Sequence, residues 1–274
     1  MKNTIIRKKH EHDKFYTKTA VAKFCVEKLQ EILGNQEYQF LEPSAGNGVF
    51  IDTLKEVGMS NIEAMDIDPD NDFITKQNFF QYKPSFDGNI VVMGNPPFGR
   101  CSSLAIKFFN HAASFQNTEI IAFILPKTFR KYSIQNKLNA QFNLIKDFDL
   151  PRNSFLLNGF EYDVPCVFQI WKRLERKRLL YCYNNLSQYI EFVSKRNAEF
   201  AIRRVGGRAG QVLDGTDYNP NSTYFCKANK KDMKEILQKI DFSEVVNSTA
   251  GVRSLSKLEI QVAIERYLKQ HNEI

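Results

Sequence analysis

The sequence has no run of ~18 apolar residues, so it offers no transmembrane helix. Its first residues, Met1-Lys2-Asn3-Thr4-Ile5-Ile6-Arg7, lack the apolar stretch of a signal peptide. Five cysteines (Cys25, Cys101, Cys166, Cys182, Cys226) are scattered without a C-x-x-C pair. That spacing argues against a zinc ribbon or a disulfide scaffold, and it fits a reducing, cytoplasmic location. Internal repeats and low-complexity tracts are also missing.

What remains is the composition of a folded protein: 274 residues, 43% apolar and 25% charged. The length allows one large domain, or a domain and a smaller module. The net charge of +7 is unevenly placed, because residues 1–171 balance 19 Lys and Arg against 19 Asp and Glu. Residues 172–274 carry 19 Lys and Arg against 12 Asp and Glu, so they hold the entire excess. A basic module behind a neutral one is a common footprint of polyanion binding, and a merely soluble basic surface is the plain alternative.

Residues 1–14, with Arg7, Lys8, Lys9, His10, His12 and Lys14, read as a flexible basic arm. Thr17 is placed to cap a helix over 19–33 that Gly34-Asn35 would end. Buried-type strands are expected at Tyr38–Leu41, Ile62–Met65, Asn89–Met93, Ile120–Leu125, Leu144–Phe148 and Val164–Trp171, with a weaker one at Thr75–Phe79. Helical patterns fall at Val49–Val57, Ser103–Phe115 and Phe129–Asn139. This alternation predicts an α/β fold, a largely parallel seven-stranded sheet with helices on both faces. The charge cluster Lys172–Arg178 marks a boundary, giving a first domain over 15–174 and a small basic α+β module over 175–274. Within that module, strands at Phe200–Val205 and Thr223–Cys226 and a helix at Lys231–Ile240 are expected. A last helix is expected from Ser256, whose spacing to Glu259 is that of a capping box.

Three segments carry chemistry. Glu42-Pro43-Ser44-Ala45-Gly46-Asn47-Gly48 is a small-residue turn between a strand and a helix, where glycines let a ligand approach the backbone. The third glycine of the dinucleotide fingerprint is absent, which disfavours a nicotinamide enzyme. About 20 residues on, Asp66-Ile67-Asp68 ends the next strand, and a carboxylate there suits both ribose hydroxyls of a nucleoside cofactor. Asp66 is assigned that role, and Asp68 that of a turn residue before Pro69. The most specific segment is Asn95-Pro96-Pro97-Phe98, at the end of a fourth strand. Its prolines fix the backbone. The Asn95 amide and the Pro96 carbonyl can then address one external amino group, and Phe98 can stack on a planar ring.

With these residues in place the chain resembles the class I S-adenosylmethionine-dependent amino-methyltransferases, most closely the gamma-type adenine-N6 DNA methyltransferases. Asn95, Pro96, Pro97 and Phe98 match the family's catalytic tetrapeptide, and Glu42–Gly48 match its methionine-binding turn. Asp13-Lys14-Phe15-Tyr16-Thr17 is similar to the segment that lines its cofactor pocket. The resemblance covers roughly residues 13–172 and implies a Rossmann-like methyltransferase sheet with S-adenosylmethionine as cofactor. The cofactor-binding set it implies is Tyr16, Thr17, Glu42, Pro43, Ser44, Ala45, Gly46, Gly48, Asp66, Ile67, Asn78, Phe79 and Asn95. Lys18 stands where the family usually has proline, and Gln77-Asn78-Phe79 where it often has an acid contacting the adenine.

The activity so implied is direct methyl transfer to the N6 amine of adenine, with hydrogen bonds to Asn95 and Pro96 building up the nitrogen lone pair. It needs no metal, and no His or Cys is placed as a nucleophile. In a duplex the base must leave the stack. Nucleic acid is the expected partner, DNA before RNA, and a protein partner stays open. Lys127, Arg130 and Lys131 after the fifth strand are candidates to meet phosphates, with a solvated helix start as the alternative, and Arg203, Arg204 and Arg208 around Gly206-Gly207 are further candidates, with an exposed basic hairpin tip as the alternative. Phe155, Phe160 and Tyr162 precede the last strand, where the family positions the flipped base. Methylation of adenine in RNA is the runner-up. Methylation of a protein glutamine amide and a non-catalytic binding subunit are the further alternatives.

Overall fold

Apolar runs flanked by turn residues become strands when both faces are covered, and here they build one sheet. Its strands are β1 (Gln39–Glu42), β2 (Ile62–Asp66), β3 (Thr75–Lys76), β4 (Ile90–Gly94), β5 (Thr118–Pro126), β6 (Phe142–Asp149) and β7 (Cys166–Arg173). The computed structural model describes residues 15–34, 36–85, 87–184, 188–249 and 251–271. The expected basic arm over 1–14, with Asp13 and Lys14, lies outside the described residues. The strand order is β3-β2-β1-β4-β5-β7-β6. Strands β1 to β5 pair parallel, as in a doubly wound sheet, while β7 runs antiparallel to both β5 and β6.

Alternate residues of each strand feed opposite cores. Phe40, Val91, Met93, Ala122 and Ile124 pack with helices α1 (Thr19–Leu33) and α2 (Val49–Glu56). Leu41, Val92, Ile121, Phe123 and Leu125 pack on the other side, with helix α3 (Ser103–Ser114). Burying each of the larger side chains among these stabilises the fold by about 1.5–3 kcal/mol. Both layers together hold the carboxyl ends of β1, β2 and β4 side by side, and the motif residues follow those ends.

Two local expectations give way to tertiary partners. Thr17 does not cap α1; the N-cap is Lys18, without a side-chain cap bond, and Thr17 instead pairs with Phe155 in a small strand. The helix expected over 129–139 is only a 3-10 turn (Lys127–Arg130) and helix α4 (Tyr132–Gln135). The run breaks at Lys131, which is extended at ψ 133° and whose ammonium binds the Ser254 carbonyl and hydroxyl at 2.9 and 3.1 Å.

Beyond β7 the chain forms a four-stranded antiparallel sheet, ordered Ile190–Phe192, Thr223–Ala228, Phe200–Arg203, Val212–Asp214. Helices α5 (Met233–Lys239), α6 (Ser243–Asn247) and α7 (Lys257–Gln270) pack on one face, around Ile202, Cys226, Met233, Ile260 and Ile264. Helix α7 starts with the expected capping box: Glu259 N–H donates to Ser256 Oγ at 3.2 Å, and Ser256 N–H to Glu259 Oε2 at 2.7 Å. The 172–178 charge cluster is partly internal. The Arg173 guanidinium donates to the carbonyls of Thr118, Ala113 and Phe115, and that of Arg178 to those of Phe142 and Leu138. Among the described residues no helix is long and apolar enough to cross a membrane.

Candidate active site

The turn after β1 is built on left-handed backbone, with Gly46 at φ 53° and Gly48 at φ 85°. It is tied to β2 from both sides of one carboxylate. Gly46 N–H donates to Asp66 Oδ2 at 2.8 Å, and Asp68 N–H donates to Asp66 Oδ1 at 2.9 Å. Asp66 therefore organises the turn, and each of its oxygens keeps a further lone pair for a ligand. Ser44 Oγ donates to the Asn95 carbonyl at 3.2 Å, joining the turn to the tetrapeptide.

Asn95 follows the buried end of β4. Its Nδ2 donates to the Phe15 carbonyl at 3.4 Å, which fixes the amide's orientation against the N-terminal segment. Its Oδ1 is buried and has no hydrogen-bond partner. Such an acceptor costs about 1–3 kcal/mol while it stays unmatched. Pro96 is buried, Pro97 exposed, and Phe98 half-buried against both cores.

A cleft of about 530 Å³ joins these pieces. Of the residues expected in the site, Tyr16, Ser44, Gly46, Asp66, Ile67 and the Asn95–Phe98 tetrapeptide line it, with Phe15 beside them. Asp68, Gly99 and Leu104 line it too. For Asp68 the sequence predicts only a place in the turn. Leu104 carries no sequence signal; it arrives because the chain folds back after Phe98, whose carbonyl accepts from Leu104 N–H at 3.1 Å.

Other expected residues stand outside the lining. Thr17, Pro43, Ala45 and Gly48 are buried behind it. Asn78 spends its side-chain oxygen on Phe80 N–H, capping a 3-10 turn. Phe79 is core, stacked on Phe108 with ring centroids 5.2 Å apart. Glu42 is 2% exposed, with Oε2 lacking a partner. Burial, and after it the nearby charges of Asp66 and Asp52, pushes its carboxyl well above the usual carboxylate range.

No protein-family model matches the chain. Over 103 residues it is 33% identical to the type II methyltransferase M.HincII of Haemophilus influenzae, a match covering 36% of this chain and 19% of that relative. The type II methyltransferase M.HindII of Haemophilus influenzae matches to the same extent. The resemblance to the class I methyltransferases holds. S-adenosylmethionine is the cofactor that goes with it. The chain spans about a fifth of the length of the curated relatives it matches. Solved structures show a slighter likeness. The methyltransferase subunit of a type I restriction-modification system from Streptococcus thermophilus is 14% identical at a TM-score of 0.42, over 94% of this chain and 57% of that one. The 23S rRNA methyltransferase ErmE is 12% identical at 0.40, over 61% of this chain and 72% of its own.

Around this cleft the expected basic residues divide. Lys127 pairs with Asp149 at 2.8 Å, and Arg130 with Asp147 at 2.8 Å and Asp149 at 3.1 Å. Lys131 faces the buried Glu259 at 3.7 Å as well as Ser254. Each of these three cations therefore already has a partner within the protein. Arg203 and Arg204 lie on opposite faces of their sheet. Arg203 donates to Ser222 Oγ and covers the Tyr218 ring, whereas Arg204 is exposed over Tyr224. Arg208 is exposed in the turn that follows. Of the aromatics before β7, Phe155 is buried, whereas Phe160, at the tip of a hairpin, is 78% exposed.

Proposed function

We propose that this chain transfers the methyl group of S-adenosylmethionine to the exocyclic N6 amine of adenine in DNA, with the base held out of the stack. The observation that carries this reading is that Asn95, a residue lining the cleft, keeps a buried Oδ1 with no hydrogen-bond partner. An acceptor without a partner there calls for an N–H donor, and an exocyclic amine supplies one. Among the described residues the cleft is also lined by the acids Asp66 and Asp68 and by no cation, a balance that favours a positively charged cofactor.

When bound, the cofactor supplies a methyl group activated by its sulfonium. The protein's own groups do the rest. Asp66 accepts from the ribose hydroxyls, and the Gly46 turn lets the ligand reach the backbone. Phe98 offers its ring to the extruded base. Asn95 Oδ1 and the Pro96 carbonyl accept the N6 hydrogens and favour a pyramidal nitrogen. The nitrogen lone pair would then take the methyl group of the bound cofactor, the C–S bond breaking as the N–C bond forms and S-adenosylhomocysteine leaving. Both carbonyls stabilise the positive charge that grows on N6, and one N6 proton leaves to water. The cleft would supply the proximity.

The test is transfer from labelled S-adenosylmethionine to unmethylated duplex DNA, single-stranded DNA and unmodified RNA in parallel, with nucleoside mass spectrometry of the products. N6-methyladenine in a DNA pool is expected. Label confined to RNA, or to no pool while the cofactor binds, overturns the DNA reading.

A further inference from the structure

The positive charge that the loop after β5 loses to carboxylates is retained on the C-terminal module. There Lys257, at the start of α7, lies over three rings, with its ammonium 5.0 Å from the centroid of Phe192, 5.8 Å from Tyr224 and 5.9 Å from Tyr183. Arg204 lies over the same Tyr224 ring at 5.1 Å. The rings brace one another, with centroids 5.4 Å apart for Phe192–Tyr224 and 6.1 Å for Tyr183–Phe192. Neither Lys257 nor Arg204 has a carboxylate partner among the described residues. Glu259, two residues along the helix, is buried and turned inward to Lys131 and the Ser256 amide.

A ring face holds a cation in place without cancelling its charge. A carboxylate fixes a cation just as well but neutralises it. The first arrangement suits an anion-binding surface, and the second suits an internal joint. Backbone pairing keeps the two free cations together: Leu255 N–H donates to the Arg204 carbonyl at 2.8 Å, and Val205 bridges Ser254. Ser254 in turn receives Lys131, from the segment that leaves the carboxyl end of β5. The ledge is therefore fixed to the sheet edge that carries the cleft.

We infer that Arg204 and Lys257 form a ledge that holds phosphodiester groups of the nucleic acid whose base enters the cleft. This rests on the reading that the substrate is nucleic acid, and it moves the phosphate contacts from Lys127 and Arg130 to Lys257 and Arg204. The experiment is the salt dependence of binding of a fluorescein-labelled duplex DNA to the full chain. Arg204→Gln with Lys257→Gln should lower the slope of log K against log salt by about 0.9 per lost phosphate contact, about 1.8 in all. Arg204→Lys with Lys257→Arg keeps both charges and should keep the wild-type slope. A slope unchanged in the glutamine pair, while the wild type methylates DNA, overturns the ledge and leaves the activity standing. A wild-type chain that neither binds nor methylates any nucleic acid overturns both.

Discussion

The two edges of the central sheet both carry a hollow, and the larger one is at the wrong end for the motifs. The hollow at the amino edge, about 650 Å³, is lined by turn residues such as Gln36, Tyr38, Gly58, Ser60 and Asn61. The cleft at the carboxyl edge is about 530 Å³. What separates them is the state of their polar groups. At the amino edge Tyr38 donates to Gln36 at 2.9 Å, and among the described residues none of the buried, unpartnered side-chain atoms belongs to the lining. At the carboxyl edge Asn95 lines the cleft and its Oδ1 is buried without a partner, and Glu42 Oε2 is buried in the same condition at the end of β1. Folding alone removes unmatched acceptors, because each one costs stability. Buried, unpartnered atoms also occur elsewhere, at Thr118 Oγ1 on the amino end of β5 and at His111 Nε2 and Glu259 Oε1, so what distinguishes the carboxyl edge is that one of them, on Asn95, belongs to a residue lining the cleft.

The largest expected effect breaks the comparison at Asn95. Asn95→Ala removes the unmatched acceptor and should lower methyl transfer by a factor on the order of 10² to 10³, as loss of one preorganised electrostatic contact does. Cofactor affinity, followed by calorimetry, should stay within a few-fold. Retained transfer would show that the acceptor is not part of the chemistry.

Glu42 gives a smaller effect with a defined sign. Its folded-state carboxyl titrates above the ordinary glutamate value, so the unfolded chain releases the proton first as pH rises. This group's contribution is then full below about pH 4.3 and declines as pH climbs toward its raised folded value. Glu42→Gln, which cannot ionise, should flatten that decline. Urea unfolding of both proteins from acid to neutral pH reads it directly. Parallel pH profiles would mean that the carboxyl is not held neutral by burial.

Most of the sheet was legible because apolar runs encode burial. The motif segments were legible because few residue types can make those turns. Direction was not: the apolar run at Val164–Trp171 reads the same whether β7 lies parallel or antiparallel, and β7 is inserted antiparallel between β5 and β6. The fate of the basic residues was hidden for a similar reason. The partners of Lys127 and Arg130 are Asp147 and Asp149 on β6, which only the sheet brings near. Arg203 and Arg204 are neighbours in sequence, but strand alternation sends them to opposite faces. The place of the cleft was readable from Asn95-Pro96-Pro97-Phe98, all four of which line it. That Asn95 Oδ1 lacks a partner is a property of the packed molecule alone.

The finest test compares two glycines with the same backbone angle. Gly48 at the carboxyl edge and Gly58 at the amino edge both have φ 85°. Alanine at either position takes on the left-handed strain of about 1–2 kcal/mol. The surroundings differ. A Cβ at Gly58 meets nothing within 4 Å, whereas one at Gly48 comes within 3.0 Å of the Phe73 ring. Gly58→Ala should therefore lose the strain energy only, with cofactor affinity unchanged. Gly48→Ala should lose stability to a similar degree and, by displacing the ring beside the cofactor turn, also weaken cofactor binding several-fold. Chemical unfolding and cofactor titration of the pair separate the two contributions. Equal cofactor affinities in both variants would mean that the Gly48 turn is shaped for the fold alone, and the contrast between the edges would then rest on Asn95 and Glu42.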